Sequence, residues 1–220
     1  KNKIAVLMGD FMLSRGLLLA LENDECGFLK ITSRAVKRMS EGELLQIQKN
    51  RKFDVNEETY FRIISDKTAS LINACCELGA ASTSKDKNEI SLMSEFGENL
   101  GIAFQLRDDL LDYIGKKKIM GKSSGSDLKE KKFTLPLIHS LNNSTKKEAK
   151  EIVSLVKNGS YSKSRSIVMD FIKEHNGIEY TIEKTTEYCA TAKNNLQSFK
   201  PSETKDTMIK FVDFISERVN

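Results

Sequence analysis

Tryptophan is absent from the 220 residues, and proline (Pro136, Pro201) and histidine (His139, His175) occur twice each. With so few helix breakers, long stretches are free to be helical. Aromatics make up 7% of the chain and no apolar–polar alternation is sustained, which argues against a sandwich or barrel. Periodic apolar segments separated by short polar breaks read instead as all-α. Cys26, Cys75, Cys76 and Cys189 have the spacing of neither a zinc site nor a disulfide framework, so they read as free core thiols in a reducing cytoplasm. His139 and His175 stand alone and are assigned structural roles. No apolar run reaches the roughly 18 residues that a bilayer span needs. The nearest, Phe11 to Leu21, carries Arg15, so neither a transmembrane segment nor a secretory signal is expected. The net charge of +4 is small and concentrated in one loop, without the even basic stripe that would suggest nucleic acid as a partner.

The most informative stretch is FQLRDDLLDYIG, Phe104 to Gly115. Three acids, Asp108, Asp109 and Asp112, interrupt an apolar pattern of helical period (Leu100, Ala103, Phe104, Leu106, Leu110, Leu111, Ile114). The helix is therefore expected to be buried, with Asp108 and Asp112 stacked one turn apart and Gln105 on the same face. Buried like charges need a counter-charge. Mg²⁺ suits such a site, being a hard cation usually held by one or two carboxylates together with substrate phosphates. From Lys116 to Lys132 there follow seven lysines against Asp127 and Glu130, with Gly115, Gly121 and Gly125 among or beside them. A flexible cationic loop of this kind is suited to gripping phosphate oxygens. Upstream, Lys67 falls on the apolar face of its own segment, where a lysine must snorkel or meet an anion.

FQxxDDxLDxxG followed by GKxxGxDLxxxKxTLP resembles the second aspartate-rich motif and trailing loop of the trans-type polyprenyl diphosphate synthases. Lys67-Thr68-Ala69 resembles the family's KTA motif, SEGELLQIQ its SEGExxQ segment, and AVLMGDFMLSRG the helix after its first aspartate-rich motif. The resemblance implies an isoprenoid-synthase-type helical bundle that condenses isopentenyl diphosphate with an allylic diphosphate. It implies Mg²⁺ ligation by Asp108, Asp109 and Asp112, and diphosphate contacts from Lys67, Thr68, Gln105, Lys122 and Lys132. Lys67, Asp108, Asp109 and Lys122 would carry the catalysis, while Glu43 and Gln46 are candidates to face the same cavity. Ser123 and Lys131 replace the proline and glycine usual in the family's loop. Residues 1–220 are expected to form a single helical domain, the C-terminal two thirds of such an enzyme, inactive alone because the first aspartate-rich motif is not among them. A homodimer is the family's usual state. A non-catalytic subunit of a heteromeric synthase and a terpene cyclase of the same fold are the alternatives.

The remaining chain reads as packing. Residues 4 to 21 are apolar nearly all round, as befits a central or interface helix, with Asp10 and Arg15 as its buried polar exceptions. Helices are expected at about 26–49, 57–79 with a cap at Asn56, 87–114, 137–141 and in four segments beyond residue 145. Gly97 and Gly101, four apart, would admit a neighbouring helix closely.

Overall fold

The long helix α5, Lys87–Ile114, owes its place to its own spacing. Phe96, Leu100, Ala103, Leu106 and Leu110 recur every three or four residues, and all are buried. In the computed structural model, which describes residues 2–52, 56–114, 126–158 and 161–217, the other elements assemble around it. These are α1 Asn2–Glu22, α2 Cys26–Lys52, α3 Glu57–Ile64, a π-turn Ser65–Ala69 and α4 Ser70–Ala81. Beyond α5 follow α6 Ser126–Lys129, α7 Leu135–Asn142, α8 Lys146–Asn158, α9 Tyr161–Glu174, α10 Gly177–Asn195 and α11 Glu203–Glu217. No strand occurs among the described residues. The fold is thus all-α, as expected.

Helix α5 lies between α4 and α10. The α4 contact depends on glycine, since a Cβ at Gly97 would stand 2.7 Å from Cα of Asn73, and one at Gly101 would stand 2.5 Å from Cα of Ala69. One apolar cluster joins Leu106, Leu110 and Tyr113 to Phe133, Leu135, Ile138 and Ile172 beneath the site. A second joins Phe96 and Leu100 to Cys189, Leu196 and Val212 farther along the axis.

Several expectations are corrected. The segment from Glu57 is not one helix. Asn56 caps its start, accepting the Thr59 amide, but the chain widens into the π-turn before continuing as α4. Helix α7 starts at Leu135, ahead of Pro136, because a proline in the first turn gives up an N–H that has no helical partner there. Cys26 and Cys75 are exposed, and Cys189 alone is fully buried. His139 stacks on Tyr180 and His175 bonds the Phe171 carbonyl, both structural roles.

The largest difference is α1. None of its residues is buried, and among the described residues it packs mainly along α2. Asp10 and Arg15 are exposed, with Arg15 3.9 Å from Glu22. The helix is long and apolar enough, by length and composition alone, to cross a membrane. Counting uninterrupted runs missed this, because two scattered charges break the run without much lowering the average.

Candidate active site

The C-terminal half of α5, the π-turn, the end of α2 and the segment entering α7 enclose a cavity of about 120 Å³. Its lining includes Gln46, Tyr60, Lys67, Thr68, Gln105, Asp108, Asp109, Asp127, Lys132 and Thr134. The π-turn is what carries Lys67 and Thr68 to this wall. Extra residues are looped into one turn, with the Ser70 N–H reaching back to the Ser65 carbonyl, and such turns are frequent at functional sites.

A chain of hydrogen bonds crosses the cavity. Thr68 Oγ1 donates to Gln105 Oε1 at 2.9 Å, and Gln105 Nε2 donates to Asp109 Oδ1 at 2.7 Å. The other oxygen of Asp109 accepts from the Tyr60 hydroxyl at 2.7 Å. Asp109 is therefore buried between two neutral donors. Burial pushes its carboxyl up to about 7; the Tyr60 and Gln105 hydrogen bonds oppose that shift, while Asp127 and Asp108 add to it. Burial, with Asp112 next, also raises Asp127. The same burial and the neighbouring Asp109 carboxylate push the Tyr60 hydroxyl up.

Two lysines line the same cavity. Lys67 Nζ donates to Gln46 Oε1 and pairs with Glu43 Oε2, both at 2.7 Å. Lys132 Nζ lies 2.7 Å from Glu130 and 3.5 Å from Asp127. Burial works against the Lys132 charge, but those two acids outweigh it and raise its pKa. Lys122 and the glycines at 115, 121 and 125 lie outside the described residues.

Asp108 and Asp112, one turn apart on α5, differ in their surroundings, and only Asp108 lines this cavity. Asp108 is exposed at the rim beside Asp109, whereas Asp112 is buried below and accepts the Asp127 backbone N–H at 3.0 Å. Through this bond Asp112 ties the start of α6, and with it Asp127, to α5. Tyr60, read from sequence as a core residue, and Asp127, read as part of a lysine loop, both line the cavity. The motif DLxxxK already spaced Asp127 from Lys132; nothing in the sequence marked Tyr60.

Hard oxygen donors and ammonium groups lining one cavity fit a divalent cation bound together with a phosphorylated ligand. Among the described residues, no three His, Cys, Asp or Glu side chains converge to hold a metal by themselves. Asp108 and Asp109 fit the pattern in which phosphate oxygens and water complete the shell.

Comparison with known proteins gives the family. Residues 1–173 match the polyprenyl synthetase family, and the chain belongs to it. It is 30% identical to the octaprenyl diphosphate synthase of Escherichia coli over 217 residues, covering 99% of this chain and 67% of that protein. Against the short chain isoprenyl diphosphate synthase of Methanothermobacter thermautotrophicus it is 27% identical, covering 98% of this chain and 67% of that one. A decaprenyl diphosphate synthase from Rhodobacter capsulatus superposes with a TM-score of 0.91 at 29% identity, over 100% of this chain and 68% of that chain. A Caulobacter crescentus polyprenyl synthase, solved as a complex with calcium and isoprenyl diphosphate, gives 0.87 at 31% identity, over 98% and 66% of the two chains.

Proposed function

We propose that this chain carries the diphosphate-binding wall of a Mg²⁺-dependent, chain-elongating prenyltransferase that joins isopentenyl diphosphate to an allylic diphosphate. The observation that carries the reading is the meeting of Lys67, Thr68, Gln105, Asp108, Asp109 and Lys132 on one cavity. In such a reaction the allylic C–O bond breaks, pyrophosphate leaves with the electron pair, and the double bond of isopentenyl diphosphate closes a C–C bond to the allylic carbon. A proton then leaves the new chain to the departing pyrophosphate. Mg²⁺ at Asp108 and Asp109 would neutralise the charge developing on the leaving group. Lys67, Lys132 and, by its motif position, Lys122 hold the phosphate oxygens. Thr68 and Gln105 supply neutral hydrogen bonds, Asp112 acts by fixing α6, and Ile63, Ile64 and Phe133 keep one side of the cavity dry.

Calorimetric titration with inorganic pyrophosphate tests the site. Binding should be tight only with Mg²⁺ present, and equal heats with and without the metal, or none at all, overturn the reading. Labelled isopentenyl diphosphate then separates elongation, which consumes both substrates, from cyclisation, which consumes the allylic one alone.

The partner that best fits α1 is a second copy of the chain. Ile4, Leu7, Phe11 and Leu18 are between 49% and 70% exposed on a helix that packs mainly on α2, and an apolar face of that extent favours association. Light scattering should find a dimer; a monomer at micromolar concentration refutes this.

A further inference from the structure

The π-turn has a second polar side. Arg38, on α2, donates from Nε to Asp66 Oδ1 at 2.9 Å and from Nη2 to Ser65 Oγ at 2.7 Å, both on the turn. The same guanidinium grips Glu98 of α5 with two bonds, at 2.7 and 3.0 Å. Ser65 Oγ donates in turn to Glu98. None of these four residues lines the cavity. They sit directly behind Lys67 and Thr68, and a single planar group ties α2, the turn and α5 together.

We propose that Arg38 is a positioning residue for diphosphate binding, fixing Ser65 and Asp66 so that the next two residues, Lys67 and Thr68, meet the phosphate at the required place.

A π-turn is wider than an α-turn, and its register depends on what grips its outside. Here the grip is close. A Cβ at Gly42 of α2 would fall 2.8 Å from the Lys67 backbone N, so α2 lies directly against the turn at the lysine. Inside the turn, Ser70 Oγ donates to the Asp66 carbonyl at 2.6 Å. Arg38, Asp66 and Glu98 side chains are 26%, 17% and 22% exposed, so water competes little for these bonds. The fork geometry of a guanidinium holds Glu98 and Asp66 at fixed angles, which an ammonium does not. A displacement of about 1 Å in a phosphate-binding group is enough to cost affinity and rate heavily.

This inference rests on the cavity being a diphosphate site, and the test separates the two. Asp66→Asn loosens the tie to the turn while leaving Arg38 paired with Glu98, so the fold should survive. Its affinity for pyrophosphate with Mg²⁺ should fall roughly tenfold with an unchanged melting temperature. Arg38→Leu should lose more, and Arg38→Lys should recover part of that loss. In a Lys67→Ala background, Asp66→Asn should have a smaller effect than in the unaltered chain, because much of its action runs through Lys67. Unchanged affinity in Asp66→Asn, or a loss that simply adds to that of Lys67→Ala, overturns the clamp alone. Absence of pyrophosphate binding by the unaltered chain overturns the site and the clamp together.

Discussion

The two sides of the π-turn carry similar residues in opposite states of balance. Behind it, one guanidinium meets two carboxylates and a hydroxyl, each bond near ideal length. In front, among the described residues, the buried acid Asp109 receives neutral donors from Tyr60 and Gln105, while Lys67 is held by Glu43 and Gln46. A network satisfied by its own members holds structure. A buried acid left without a cation stores unfavourable energy that a ligand can release. The difference supports the proposed reading of the front as the ligand side, and each prediction below sharpens or breaks it.

The largest effect should come from Asp108→Ala. Asp108 is exposed, so the fold should be retained, with the melting temperature close to that of the unaltered chain. In a full-length synthase that contains this chain, prenyl transfer should fall by roughly 10²–10³-fold, as when an electrostatic contact to a developing charge is removed. A loss below tenfold means that the metal sits elsewhere.

Next is the pH dependence of the metal-free chain. Asp109 titrates at about 7 in the fold against an ordinary value of 3.8, so the folded state binds its proton more tightly than the unfolded state does. The stability this contributes is complete below about pH 4 and is lost as pH rises through 7. The loss should be on the order of 2–4 kcal/mol. Asp109→Asn should flatten that part of the denaturation profile. Mg²⁺ with pyrophosphate at pH 8 should restore stability to the unaltered chain more than to the variant. A profile the same in both places the acid in water, and the comparison fails.

Much of the fold could be read from sequence, for identifiable reasons. Helix α5 was placed at its observed bounds because its apolar spacing and its packing glycines agree with its tertiary role. The motifs brought Lys67, Thr68, Gln105, Asp108, Asp109 and Lys132 to one cavity, since each motif is a local run on a rigid helix or turn. The π-turn was missed because one extra residue in a helical turn leaves no compositional trace. The bond from the Asp127 N–H to Asp112 is not legible in the sequence, because helical spacing says nothing of which later residue meets an acid. Tyr60 resembles any core aromatic until its hydroxyl is seen 2.7 Å from Asp109. The exposure of α1 escaped too, since an apolar helix reads alike whether or not this chain covers it.

Gly101→Val tests the packing that both sides share. The new Cβ would lie 2.5 Å from the backbone of Ala69, the last residue of the turn, and backbone cannot yield as a side chain can. Overpacking of this kind costs about 1–3 kcal/mol. For a chain of this size that lowers the melting temperature by roughly 2–4 °C per kcal/mol. Pyrophosphate affinity should fall with it. Stability lost at full affinity would mean that the turn tolerates displacement and that its register does not matter.

The smallest effect should have the opposite sign. Lys67 and Glu43 side chains are 39% and 50% exposed, so their ion pair contributes less than about 1 kcal/mol to stability. Glu43→Gln should therefore barely move the melting temperature. To reach a phosphate, however, Lys67 must leave Glu43, and that separation opposes binding. Removing the Glu43 charge should tighten pyrophosphate binding by roughly two- to fivefold, a fraction of the tenfold equivalent of 1.4 kcal/mol. The corresponding neutralisation behind the turn, Asp66→Asn, weakens binding instead. If both substitutions weaken it, Glu43 also takes part in holding the turn, and the division into an exchangeable front and a fixed back is wrong.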